Sequence, residues 1–559
     1  MRMTEMVPTA PITVKRSTRR DRARVLTSAD AGKILPLKYI PMLREDAVKR
    51  GRVRVNLEMM ETAEYLMNGI QVDVMAHYVP MLAFDRFNGS MEELNRSYKG
   101  ESGIGGSVVP YFEKNKTYNP TSDTVVTHTT NQSAIDTSNY SGGVADNSVF
   151  LQTMGIHTQS ADYNTTIVEA YNAIVNHRRK ARSASLPLRN AFDHRLAEAF
   201  WSLDNNHIVP DFDQKLIDGE VALNALTFKA PVVTEQYTQI NPGSLNGGGD
   251  PGTNFAVPGN TTNPTAQGTT PESYLFEDMY AELTAGGNAT MSLADIEQAK
   301  KTAAFAKLRS MYDGITDEHV IDLLMEGISV PLEYMKQPIL LSKASTMIGY
   351  NQRYATDAAN LDTSVTNGFA TVDMSIRTPQ MNTGGVIMIT AEIVPEQMWE
   401  RKKDYFLYET NADNLPNYLR DVLDPEQVSV VKNDHLDVNH STPNGTFGYA
   451  PLNHEWMLRD MVNVGGKYYR PANDAFDEDR AKIWTVEQTD PTLSEDFYLV
   501  SGLHKKVFSD QVADAFEITC ISDVEITGNT VFGERLLEAD ATSDYEQITD
   551  LVDSARIEK

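Results

Sequence analysis

The residue groupings best able to do chemistry in this 559-residue chain mostly fail on spacing. His454-Glu455 is not followed by a second histidine one helical turn on, so two imidazoles cannot share a helix face to bind zinc. Gly103-Ile104-Gly105-Gly106 lacks the third glycine of a dinucleotide-binding turn, and the chain has no GxxxxGK[ST] or GxSxG segment. Asn473, Asp474, Asp477, Glu478 and Asp479 could surround a cation. They lack the central glycine of an EF-hand loop, however, and a solvated charge run is the plainer reading. Among 77 acidic residues, carboxylate pairs suited to glycoside hydrolysis are too numerous to single one out. Cys520 has no second thiol to pair with and falls on the apolar side of an alternating segment, as a small core residue would. The expectation is therefore a protein with no catalytic site, no cofactor and no metal.

One grouping survives. Lys15, Arg16, Arg19, Arg20, Arg22 and Arg24 put six cations within a short stretch, offset only by Asp21. No periodicity of apolar residues accompanies them, so residues 1–30 read as a basic N-terminal arm. Such an arm is either a solvated tail or a phosphate-binding segment that releases counterions from a polyanion. The rest of the chain sharpens the contrast, because its formal net charge is −27 and most of its surface repels nucleic acid. These six residues are the candidate nucleic-acid contacts.

The elements that would position them are mainly strands. Arg52 to Met59 alternates polar and apolar side chains without error, and Ile70 to Tyr78 continues the pattern as far as Pro80. Near the other end, Phe516, Ile518, Cys520, Val524 and Ile526 share one face while Glu517, Thr519, Asp523 and Glu525 share the other. Strands this far apart in sequence predict a sheet system closed by distant segments. Between them, Thr166-Ile167-Val168-Glu169 has the form of a capping box and opens a helix ending in Arg178, Arg179 and Lys180. Those cations either complement the helix dipole or, with Arg182 and Arg189, face nucleic acid. Ser292 to Gly327 reads as a helical hairpin broken at Asp313-Gly314. Residues 241–272 hold seven Gly, six Thr, five Pro and five Asn, a density of turn formers that excludes a regular element. The most apolar run, Val386 to Val394, is too short to span a bilayer, and no secretory signal opens the chain, so no membrane insertion is expected.

Several segments, in chain order, resemble the major capsid proteins of the Microviridae, closest to the gokushovirus type with long insertions. They are Asp30 to Pro36, Val74 to Pro80 with Phe84-Asp85-Arg86-Phe87 and Lys99-Gly100-Glu101, Ala170 to Asn176, and Phe447-Gly448-Tyr449-Ala450-Pro451 ahead of Trp456. Ala450 and Leu452 stand where the family has glutamine and a basic residue, and the family's Gly-x-Arg-Tyr is absent at Asp313-Gly314. The resemblance implies a mainly β fold, an eight-stranded antiparallel viral jelly roll with large, partly helical insertions. It implies one jelly-roll capsid domain over 31–559, with insertions at approximately 85–380. Sixty copies, through pentamers, would form a T=1 icosahedral virion shell around a single-stranded DNA genome. A small basic DNA-binding virion protein would be packaged alongside, and 241–272 would be a surface loop contacting host cell-surface carbohydrate. A lectin-like or tail-type phage adhesin is the alternative. It shares strands and polar loops but needs no basic arm.

Overall fold

The alternating segments form long antiparallel ladders. The computed structural model describes residues 16–62, 66–120, 122–127, 144–156, 162–201, 208–210, 226–229, 280–283, 321, 324–325, 327, 336–354, 364–412, 415–418, 428–457, 463–469, 482–484 and 489–532. The loop 241–272, the acidic cluster 473–479, and all of the expected hairpin except a few residues near its end lie outside them. The N-terminal strands are β1 (Ser17–Ala29), β2 (Lys33–Met42), β3 (Ala47–Met59) and β4 (Ile70–Pro80). Shorter ones follow: β5 (Lys116–Asn119), β6 (Thr124–Thr127), β7 (Ala197–Glu198), β8 (Leu226–Lys229) and β9 (Tyr280–Leu283). The remainder are β10 (Ile339–Met347), β11 (Gly349–Tyr354), β12 (Ser364–Ile376), β13 (Gly385–Pro395), β14 (Val428–Lys432), β15 (Thr446–Pro451) and β16 (Phe516–Gly528). Three helices matter to the packing: α1 (Met91–Lys99), α2 (Val144–Thr153) and α3 (Thr166–Arg182).

The protein is mainly β. Two five-stranded antiparallel sheets carry it, ordered β1-β16-β3-β12-β11 and β10-β4-β13-β2-β7, and they do not close into a barrel. β10 and β12 are full members of these sheets, so the insertion expected over about 85–380 ends before Ile339. The chain divides into two compact units, Met1–Phe212 with Gly314–Lys559, and Asp213–Asp313. In the second unit the described residues are the antiparallel pair β8 and β9.

Within the first unit the apolar sides of the two large sheets share one buried cluster. It includes Val53, Val55 and Leu57 of β3, Ile518, Cys520 and Val524 of β16, and Val72, Val74, Ile387 and Ile389 of the second sheet. Burial pushes the Cys520 thiol up to about 11, which suits a core residue better than a nucleophile. The first sheet keeps its other side in solvent, hence the alternation of β16 and, from Arg50 onward, of β3. The second sheet is covered twice, because α3 packs against β4 and β13 from behind. All residues of β13 are accordingly buried, which explains why the most apolar run of the sequence is a strand. A tight turn joins β1 to β2 at Gly32 (φ +83°), where a Cβ would come within 2.6 Å of the Val500 side chain.

Helix α3 begins where the sequence indicated but not by the expected capping box. Its N-cap is Thr165, without a side-chain cap, and Asn164 Oδ1 accepts from the Thr166 N–H at 2.9 Å. Glu169 is buried and bound to Arg86 instead; desolvation raises its pKa against the pull of that guanidinium. The C-terminal cations are likewise committed inward. Arg178 pairs with buried Glu392 of β13, and Arg179 donates to Pro187 O at 2.7 Å and to Glu198 Oε2 at 3.1 Å. These two arginines bind the helix to the sheet and do not face a ligand.

Fully buried Tyr171 ties three elements together, its hydroxyl donating to Ile34 O at 2.7 Å and accepting from Ala197 N at 2.8 Å. Phenylalanine would leave a backbone donor and an acceptor unpaired in the core. Tyr171→Phe should therefore lower unfolding free energy by roughly 2 kcal/mol, read as a shifted urea midpoint at unchanged m-value. An unchanged midpoint would mean that water reaches the site.

Candidate nucleic-acid interface

The basic segment is a strand rather than an arm from Ser17 onward. Ser17 lies opposite Gly528 and Ala29 opposite Phe516, with β1 forming the edge of the first sheet beside β16. Residues 1–15, including Lys15, are outside the described residues. The strand lacked an apolar signature because ion pairs occupy much of its inner side. Arg19 reaches Asp46, which is fully buried, with Nη1–Oδ1 at 3.0 Å and Nη2–Oδ2 at 2.5 Å. Asp21 Oδ1 meets Lys38 Nζ at 3.1 Å, and Ala23, Val25 and Ala29 are the apolar side chains that continue the row. Arg19 is thus a structural residue, not a free contact for a ligand. Arg16 donates to Gln380, whose side chain donates in turn to Glu45.

Arg20, Arg22 and Arg24 project from the opposite, exposed side. Register extends them across the sheet. Arg20 pairs with Glu525 and Glu525 with Arg50; Arg22 with Asp523 and Asp523 with Arg52; Arg24 with Ile521 and Ile521 with Arg54. Each row therefore runs from an arginine of β1, over one residue of β16, to an arginine of β3. The triplet Arg50, Arg52 and Arg54 is equally exposed. A bulge between Glu525 and Ile526 places Lys49 beside Arg50 on the same side, with Lys49 Nζ 4.0 Å from Glu525. At this end of the sheet seven cations thus face three carboxylates, Glu525, Asp523 and, one strand further, Asp373, while Glu517 and Glu58 lie opposite each other toward its other end.

The carboxylates engage some of these cations. Arg22 Nε is 3.3 Å from Asp523, and Arg54 binds Asp373 through Nε–Oδ1 and Nη2–Oδ2, both at 2.8 Å. The hydrogen bonds from Arg54 hold the Asp373 carboxyl below its ordinary range, and those same bonds raise the Arg54 guanidinium. Arg20, Arg24, Arg50 and Arg52 make no ion pair with another described residue. Such a surface can bind an extended polyanion. Half of it is legible in the sequence, where Arg52 and Arg54 stand only as the polar side of a strand. The spacing of Arg50, Arg52 and Arg54, two residues apart as in Arg20, Arg22 and Arg24, was the signal available.

A separate group of titratable side chains surrounds Tyr405. Burial lowers His435 to about 4 and raises Glu455 and Tyr405. His435 Nδ1 accepts from Lys432 N at 3.3 Å, the Tyr405 hydroxyl lies 3.2 Å from His435 Nε2, and Tyr405 also hydrogen-bonds Glu455. These side chains tie together the segments around residues 405, 435 and 455. Among the described residues, no helix is long and apolar enough to cross a membrane. No protein-family model matches the chain, and no curated protein sequence matches it either.

The two sides of β1 should respond differently to alanine. Arg19→Ala strands a buried carboxylate and should cost about 3 kcal/mol of stability, the low end for losing one partner of a buried pair because Arg19 keeps some solvent. Arg22→Ala, on the exposed side, should stay within about 0.5 kcal/mol of the parent. Chemical denaturation of both variants measures the difference, and equal costs would refute this division of the strand.

Proposed function

We propose that this chain is the major capsid protein of a small single-stranded DNA phage of the Microviridae type. In this reading it is a jelly roll, and sixty copies assemble through pentamers into a T=1 shell that encloses the genome and becomes part of the virion. One observation carries most weight. Counting only the eight strands of nine residues or more, the sheets are ordered 1-8-3-6 and 2-7-4-5. Every connection but that between the fourth and fifth strands crosses from one sheet to the other, and the last strand inserts beside the first, the interleaving of two Greek keys. Viral capsid and lectin domains share that topology, so it supports an adhesin as well. The cationic side of the first sheet, set against a chain of −27, favours the shell around a polyanion. The chain has no role for a catalytic site in this reading.

Charge also bears on partners. Sixty chains of net −27 bring no net neutralisation to a genome, so a separate small basic protein should share the particle. Residues 241–272 carry no lysine or arginine and are poorly suited to lie against packed phosphates. An outward position is chemically better for them, and their Asn and Thr side chains suit host cell-surface carbohydrate.

Purified chain, alone or with its phage partners, should yield isometric shells or five-fold intermediates by negative-stain microscopy and size exclusion. A trimer or monomer under every assembly condition would sink the capsid reading and favour the adhesin. Replacing 241–272 by a brief Gly-Ser link should leave particle yield intact, since loop closure changes by only about 0.6 kcal/mol per doubling of length. Adsorption of those particles to host cells should fall. Normal adsorption would remove the attachment role, and failure to assemble would make the segment a contact between subunits.

A further inference from the structure

We infer that the exposed side of the first sheet is a binding surface for single-stranded nucleic acid, formed by two arginine triplets and restrained by the carboxylates between them. The inference deepens the genome-contact part of the proposed function by naming its surface. Arg20, Arg22 and Arg24 form one line of charge, and Arg50, Arg52 and Arg54 form a second, parallel to it and two strands away. Along each line the side chains repeat every two residues, about 6.8 Å, and the lines are about 9.6 Å apart. Four of these six arginines have no ion pair with a described residue, although the chain has an excess of carboxylates. Their guanidinium groups suit bidentate contact with phosphate.

The surface is not only cationic. Ile521, 43% exposed, sits between Arg24 and Arg54, and Leu26, 67% exposed, is the next outward residue of β1. An apolar patch at the end of the two cationic lines matches a strand whose bases are unstacked and accessible, for such strands bind through backbone charge and base contacts together. A duplex hides its bases and would use only the charges. A second copy of this acidic chain would compete for the same arginines and would show as a change in sedimentation.

Asp523 and Glu525 hold the middle strand of the same rows. They already engage Arg22 and Lys49, so an arriving phosphate must displace them and face their charge. Their role is to keep the grip weak and sensitive to salt. Exchanging them for amides should strengthen binding without adding a contact.

Full-length chain titrated into labelled oligothymidine at several salt concentrations, followed by fluorescence anisotropy, tests both parts. Six phosphate contacts predict a log–log salt slope of about −4, at about −0.7 each. Arg50→Gln/Arg52→Gln should make the slope shallower by about 1.4. Asp523→Asn/Glu525→Gln should tighten binding at fixed salt, and a duplex of equal length should bind more weakly than the single strand. Unchanged circular dichroism serves as the folding control, since all four positions face solvent. A slope unaffected by Arg50→Gln/Arg52→Gln, or a duplex bound as tightly as the single strand, overturns the surface. Unaltered affinity in the amide variant overturns the restraining role. If the arginine variant changes sedimentation of the chain but not oligonucleotide binding, the surface docks another copy and the inference fails. Normal shells that bind no oligonucleotide would defeat the inference alone, while binding by chains that never assemble would support it and count against the shell.

Discussion

The register of β16 is the constraint on which both the core and the charged surface depend. This strand lies between β1 and β3, and its side chains alternate between the apolar cluster and solvent. Side chains in a strand repeat every two residues, so a slip by one would expose Phe516, Ile518, Cys520, Val524 and Ile526. It would also drive Glu517, Asp523 and Glu525 into the core, where an unpaired carboxylate costs several kcal/mol. The same slip would separate Arg22 from Asp523 and scramble the rows that join Arg20, Arg22 and Arg24 to Arg50, Arg52 and Arg54. Core and surface are therefore specified together.

How much of this was legible in the sequence follows from what each strand buries. β3, β4 and β16 show clear patterns because their inner positions are apolar. β13 also stands out, although as a continuous run, since the second sheet is covered on both sides. β1 was illegible because it lies at an edge, where Arg19–Asp46 and Asp21–Lys38 replace apolar contacts on the inner side. Its alternation is one of burial and not of hydrophobicity. The candidate site was half visible for a related reason. A lone cationic stretch attracts attention, whereas arginines within a well-patterned strand pass as its solvated side, and only pairing through β16 brings the two triplets together. Arg178 and Arg179 show the converse, because sequence spacing cannot reveal that Glu392 and Glu198 wait for them on the sheet.

The two large sheets also divide the work between them. The second, with α3 behind it, is a covered layer with Tyr171, Arg178 and Arg86 as its polar ties. The first has one side in the core and one in water, and at one end of that open side cations outnumber carboxylates. A net charge of −27 spread over the molecule favours solubility and keeps polyanions away in general. A local reversal of sign on a rigid ladder gives direction to any encounter. Strands suit the task because the ladder fixes the spacing of the charges, which a flexible arm would leave undefined.

The pairing of β1 with β16 has a consequence for synthesis. β1 is complete at Ala29, but its ladder partner begins only at Phe516. At about 5–20 residues per second, the ribosome needs roughly half a minute to a minute and a half to supply it. Throughout that interval β1 is a strand without its neighbour, and on a polysome it sits close to identical copies of itself. An apolar strand in that position would invite pairing between nascent chains. Arg20, Arg22 and Arg24 repel such copies, so the cations that mark the finished surface also act as gatekeepers for the unfinished chain.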